Sequence, residues 1–112
     1  MISPILAVNG SGSGSSSAKA IMLTYDPTTY TVSVTPNQVT QYDTIYFTSS
    51  QGKVRVVFVS PFNDGTVEML DAQQRQLTVG GAYPFLCYFT EPGEGESEAR
   101  TGGVLDVQPH RP

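Results

Sequence analysis

A chain of 112 residues with ten acidic and six basic side chains, a net charge of −4 and one cysteine has room for one domain, no intrachain disulfide and no multi-thiolate metal site. It carries no basic run that would neutralise phosphates, which excludes nucleic acid as a partner, and no stretch approaching ~20 apolar residues, which excludes a membrane span. Only 14% of residues are charged while Gly and Pro number 11 and 8, a balance that favours a turn-rich β-domain over a helical bundle.

Met1, Ile2, Pro4, Ile5, Leu6 and Val8 make the start apolar, but no basic stretch precedes them and Ser3-Pro4 interrupts the run, so they do not read as a signal peptide. The chain as it stands reads as cytoplasmic, or as extracytoplasmic if a leader has been removed. Residues 9–17 are a Gly/Ser tract that cannot bury enough apolar surface to offset the entropy of ordering it. Residues 1–17 are therefore expected to be a flexible N-terminal segment, either idle or tethering the apolar Ile5-Leu6 patch to something.

From Ala18 the pattern changes to period two. Ile21, Leu23 and Tyr25 alternate with other residues up to the Asp26-Pro27 turn, and Tyr30, Val32 and Val34 alternate with hydroxyl residues up to Pro36-Asn37; each predicts a half-buried strand. Ile45 and Phe47 share a face within residues 43–48. Residues 53–59 begin in alternation and end in the continuous run Val56-Val57-Phe58-Val59, which predicts a strand covered on both sides in its second half. Asp64-Gly65 signals a turn. Residues 66–70 and 76–79 are weaker strands, and residues 71–75 between them could form a helical turn.

Gly81-Ala82-Tyr83-Pro84-Phe85-Leu86-Cys87 places Tyr83, Phe85 and Cys87 on one face of a strand that continues through Phe89, and that face is expected to be core. After a loop over residues 91–101, residues 103–107 close the domain. Seven to eight short strands with Pro and Gly between them predict an all-β sandwich over residues 18–108, with a tail at 109–112. Pattern alone does not separate an immunoglobulin-like sandwich from other kinds.

Three segments in order resemble the landmarks of cupredoxins, the small blue-copper electron carriers. Residues 36–47 are similar to the family stretch in which Pro follows one strand and G-D-x-V-x-F/W opens the next, with Tyr42 in place of the Gly and Asp43, Ile45 and Phe47 fitting. Val54-Arg55-Val56-Val57-Phe58 resembles the H-N-V-V-F strand, and residues 81–87 followed by Gly103-x-Leu105-x-Val107 resemble the cysteine-ligand strand and the last strand. The resemblance implies a Greek-key β-sandwich. It also implies a copper site of two imidazoles, a thiolate and a weak axial Met. Here the positions are degenerate: Val54 stands at the first His, Cys87 at the thiolate, and Thr90 lies where the second His should fall. No Met follows Cys87, and the sole histidine, His110, lies outside the ligand loop. No metal and no cofactor are therefore expected, and Cys87 is expected to be an inert core residue.

Other candidates are weaker. Glu91, Glu94, Glu96 and Glu98 crowd one loop. They lack the ligand ladder of a calcium loop and read as a solvated turn or as an electrostatic patch for a protein partner. Tyr88, and with it Tyr46, should face outward, as ordinary strand formers or as interface anchors. Asp64, Glu68 and Asp71 read as surface acids. No nucleophile–base pair can be assembled, so no enzyme is expected. The reading that results is a metal-free cupredoxin-like binding or structural module that mediates protein–protein contact or self-association. Its competitors are a copper-binding electron-transfer protein with an unorthodox site using Cys87 and an immunoglobulin-like adhesion or capsid-decorating domain.

Overall fold

The computed structural model describes residues 18–62 and 65–110; residues 1–17 and Asp64 of the expected turn lie outside them. Among the described residues every regular element is a strand: β1 (Lys19–Asp26), β2 (Thr31–Thr35), β3 (Gln38–Thr40), β4 (Thr44–Thr48), β5 (Lys53–Phe58), β6 (Glu68–Met69), β7 (Arg75–Gln76), β8 (Gly81–Thr90) and β9 (Arg100–Gln108). They form a four-stranded sheet in the order β2-β1-β4-β7 and a five-stranded sheet in the order β3-β9-β8-β5-β6. Both sheets are mixed, because β1 pairs with β4 and β9 with β3 in parallel while the remaining pairs are antiparallel. The two sheets pack together as a β-sandwich. No helix of the described residues is long and apolar enough to cross a membrane.

The alternation seen in the sequence is the alternation of burial. Ile21 and Leu23 of β1, Ile45 and Phe47 of β4, Val54, Val56 and Phe58 of β5, Tyr83, Phe85, Cys87 and Phe89 of β8, and Leu105 and Val107 of β9 all point into one core. Phe47 joins the sheets, its ring centroid 5.5 Å from that of Phe85 and 6.2 Å from that of Phe58. Against this ring cluster β9 carries a bulge between Thr101 and Gly103. A Cβ on Gly102 would stand 2.0 Å from the Phe85 ring, whereas one on Gly103, where φ is 87°, would meet open space.

Four expectations need correction. Strand β3 was not anticipated; it is three residues long and offers one buried side chain, Val39. The run Val56-Val57-Phe58-Val59 is not covered on both sides, since Val59 is 64% exposed and Val57 is half-buried. Residues 71–75 are not helical. Asp71 and Ala72 form a tight turn, with Ala72 at φ 60° and its N–H donating to the Phe47 carbonyl at 3.0 Å, and Arg75 already belongs to β7. The weak strands shrink to Glu68–Met69 and to Arg75–Gln76, which starts one residue earlier than expected and ends at the residue before Leu77, whose own N–H donates to the Asp43 carbonyl.

Gly102→Ala is expected to cost about 1–3 kcal/mol of unfolding free energy, because the Phe85 ring is hemmed in by Phe47 and Phe58 and has nowhere to retreat. Gly95→Ala, with open space around its Cβ, should stay within ~0.5 kcal/mol. Urea denaturation of both variants checks the contrast.

Candidate functional site

The three degenerate ligand positions do not converge. Strands β5 and β8 are antiparallel neighbours, with Val56 opposite Cys87, Val54 opposite Phe89 and Lys53 opposite Thr90. Val54 and Cys87 therefore share the inward face, one step apart diagonally, while Thr90, three residues beyond Cys87, points to the other side of the sheet. Val54 and Thr90 both border an open groove of about 340 Å³ with Lys53, Arg55, Asp71 and Glu96, and Cys87 is not part of its lining.

Cys87 is wholly buried, and its Sγ–H donates to the Arg100 carbonyl at 3.6 Å. Burial pushes its thiol pKa up to about 11, with the nearby Arg100 charge opposing the shift more weakly. A thiol of this kind is protonated and unreactive at neutral pH. The Arg100 guanidinium meanwhile lies 3.9 Å from the centroid of the Tyr25 ring and donates from Nη1 to the Tyr25 hydroxyl at 3.2 Å, closing the end of the core beside Phe89.

The acidic loop is tied down rather than free. Ser97 N–H donates to the Phe89 carbonyl at 2.7 Å, Phe89 N–H donates to Ser97 Oγ at 3.0 Å, and Thr90 bridges Glu96. Glu96 then receives both Nε and Nη2 of Arg55 at 2.9 Å, a bidentate pair, while Arg55 Nη1 reaches Glu68 at 2.9 Å. The guanidinium also lies 4.1 Å from the centroid of the Tyr88 ring. These hydrogen bonds raise the Arg55 pKa, and that from Arg55 holds the Glu96 carboxyl below its usual range. Of the expected partner-binding residues, Tyr88 and Glu96 are thus brought together under Arg55. Glu91, Glu94 and Glu98 are not part of that cluster: Glu91 and Glu94 sit in the turn, where the Glu94 N–H donates to the Glu91 carbonyl at 2.9 Å, and the Glu98 carbonyl accepts from Ser97 Oγ. Tyr46, like Tyr88, faces outward and is half-buried.

The acids read as surface charge have structural partners. Asp71 Oδ1 accepts the Val54 N–H at 3.0 Å, which anchors the start of β5, and Glu68 pairs with Arg55. Among the described residues no three His, Cys, Asp or Glu side chains group in a way that could hold a metal ion.

One surface escaped the sequence reading. On the outward face of the five-stranded sheet Leu86 lies opposite Val57 and Pro84 opposite Val104, with Val59 bonded through its N–H to the Pro84 carbonyl at 2.9 Å. These five apolar side chains are contiguous across β9, β8 and β5, and Val59 and Val104 are 64% and 46% exposed. The signal was present in the continuous run Val56-Val57-Phe58-Val59, but it was taken to mean that the rest of the fold would cover it. Compared with protein-family models, with curated proteins and with solved structures, the chain matches none.

Cys87 sets a pH dependence with a definite sign. Its pKa is raised from 9.0 in the ordinary thiol to about 11 in the fold, so above pH 9 the unfolded chain releases a proton that the folded chain keeps, and stability falls until the folded thiol itself ionises. Between pH 9 and 11 the unfolding free energy should drop faster in the unmodified protein than in Cys87→Ala, by up to ~1.4 kcal/mol per pH unit. Chemical denaturation of the two at pH 8, 9, 10 and 11 reads the difference.

Proposed function

We propose that the chain is a metal-free, cupredoxin-like Greek-key sandwich that works as a binding or structural module, through protein–protein contact or self-association. The observation that carries the binding part is the contiguous apolar surface of Val57, Val59, Pro84, Leu86 and Val104 on the outward face of the five-stranded sheet. Grouped exposed hydrocarbon on a sheet face favours an interaction surface, whereas isolated apolar residues on a surface need no such explanation.

The cupredoxin part is supported by how the landmarks come together. The segments at residues 54–58, 81–87 and 103–107 are remote in sequence yet form three adjacent strands, β5, β8 and β9. Pro36 separates β2 of one sheet from β3 of the other, and the chain crosses between sheets again before β4, β5, β7 and β8, in keeping with a Greek key. Tyr42, in place of the motif's Gly, has φ 78°, the left-handed conformation that favours glycine. The donor set argues against copper chemistry, since Val54 offers hydrocarbon where an imidazole is required and the Cys87 thiol is sealed in the core.

Two measurements test the reading. Addition of Cu(II) should give no intense visible absorption band and no rise in Tm, because a metal that binds the native state must stabilise it by mass action; a strong band would favour the unorthodox copper site at Cys87. Sedimentation of the full chain over a concentration series should show reversible association, and the double variant Val59→Glu, Val104→Glu should remain monomeric at tenfold higher concentration. Equal association of the two would remove the apolar face from the account.

A further inference from the structure

We propose that the outer edge of β2 pairs with itself: two copies of the chain join through Thr31–Thr35, antiparallel about a two-fold axis at Ser33, so that their four-stranded sheets run on as one continuous sheet. The surface is separate from the apolar face of the other sheet, and the inference stands whether or not that face binds.

The edges of the two sheets are β2, β7, β3 and β6, and β2 differs from the other three. β3 is three residues long and β6 and β7 two each, and an edge too short to template a partner is protected by its length. β2 has five residues, and it lacks the other protective devices. Its pairing with β1 runs from Thr31 to Thr35 without a bulge, no proline interrupts it, and no charged side chain occurs anywhere in residues 27–42. Among the described residues its backbone hydrogen bonds go to β1 alone; β9 packs against it from the other sheet but gives it none. The N–H and C=O groups along its outer side therefore have no partner among the described residues. Because β1 already fixes the strand, a newcomer can bond to them without ordering it further.

The sequence of the edge identifies the occupant. Thr31-Val32-Ser33-Val34-Thr35 reads the same in both directions, which suits an antiparallel strand whose partner is its own copy, because such a contact uses the same patch twice. Pairing about Ser33 sets Thr31 opposite Thr35, Val32 opposite Val34 and Ser33 opposite its counterpart. Hydroxyl groups then meet hydroxyl groups on the outward side, where Thr31, Ser33 and Thr35 are exposed, and each can both donate and accept. Val32 and Val34, half-buried against the core, meet on the inward side and cover one another's remaining exposure. A shift of one residue would turn the copy's core face outward, and a shift of two would leave only residues 31–33 or 33–35 paired. Charge does not oppose the contact. The nearest carboxylate on β1, Asp26, stands opposite Thr31, and its two copies would be three strand spacings, at least about 14 Å, apart. That exceeds the Debye length of ~8 Å at physiological salt.

The test uses the full chain carrying Val59→Glu and Val104→Glu, so that the apolar face contributes nothing, and it traps the pairing covalently because a contact of five residues is short-lived by itself. Both Cα spacings of an antiparallel pair, about 4.5 and 5.5 Å, lie within reach of a disulfide. Thr31 of one copy, by contrast, is four residues, about 13 Å, from Thr31 of the other. Ser33→Cys alone, and Thr31→Cys mixed with Thr35→Cys, should therefore oxidise to dimers at least tenfold faster than Thr31→Cys alone. They should also outpace Thr24→Cys, the outward residue opposite Ser33 on β1, by the same factor. Cys87, wholly buried, stays out of the reaction. Adding Ser33→Lys to the Thr31→Cys and Thr35→Cys chains sets like charges opposite one another at the axis and should remove the advantage, whereas Thr24→Lys should leave it. Equal rates for the mixture and for Thr31→Cys alone overturn the pairing, as does an advantage that Ser33→Lys leaves untouched. Sedimentation of Val59→Glu, Val104→Glu reads the apolar face and the disulfide reads the edge, so either can fail without the other.

Discussion

The arrangement turns on the Phe85 ring and the space that β9 leaves for it. The ring stands in the centre of the core, packed against Phe47 of the facing sheet and Phe58 of the adjacent strand, and it occupies the position a side chain on residue 102 would need. Strand β9 meets this demand with two consecutive glycines and one extra residue. The extra residue also sets the sidedness of everything after it, because a shift of one residue moves each side chain to the other face. With the bulge, Leu105 and Val107 point inward and Val104 outward; without it, Leu105 would face solvent and Val104 would meet the core. The outward position of Val104 and the inward positions of Leu105 and Val107 are consequences of the same bulge.

Polar groups hold the edges of this core in position. With no disulfide available, carboxylates bind backbone N–H groups at places where strands begin or turn: Asp71 receives Val54, and Asp43 receives Thr40 while also pairing with Lys19. Burial works against ionisation of Asp43, but these hydrogen bonds outweigh it and hold its pKa below the usual value. Arg55 does comparable work on the outward face, linking β5 to β6 through Glu68 and to the loop before β9 through Glu96, over the ring of Tyr88. Exposed pairs of this kind add little stability individually. Their effect is geometric, since with the Ser97–Phe89 hydrogen bonds they hold the loop around Glu96 against the end of β8.

Strands with regular inward side chains were legible in the sequence: β1, β5 and β8 repeat apolar residues at every second position over at least five residues, and β2, β4 and β9 hold one such pair each, Val32 and Val34, Ile45 and Phe47, and Leu105 and Val107. Strand β3 was not, because Val39 is its one buried residue and its parallel partner on β9 is nearly seventy positions away. For β7 the apolar signal in Leu77 and Val79 drew the expectation past Gln76, whereas the pairing with β4 ends there and Leu77 is held by Asp43 instead. The acidic loop was read as solvated because its neutralising cation, Arg55, is 41 residues distant from Glu96. Charge composition along a segment is a local property, but ion pairing is set by the fold. Cys87 was the opposite case: its inward position followed from period two alone, and burial then accounts for its raised pKa.

The misread run in β5 is the most informative of these differences. Val57 and Val59 gain little by being apolar if water is their permanent neighbour, and Thr, equally β-branched, would suit an exposed strand face; β2 makes that choice on its own outward side with Thr31, Ser33 and Thr35. The two sheets therefore follow different rules under the same alternation. The four-stranded sheet presents hydroxyl groups outward along β2, while the five-stranded sheet presents valine, leucine and proline across three strands. A difference of degree between two outward faces does not follow from strand propensity, which acts on both sheets alike. What separates the two outward faces is how the hydrocarbon is grouped: Val57, Val59, Pro84, Leu86 and Val104 are neighbours on one, whereas Ala20, Met22 and Tyr46 are set among Thr and Ser side chains on the other.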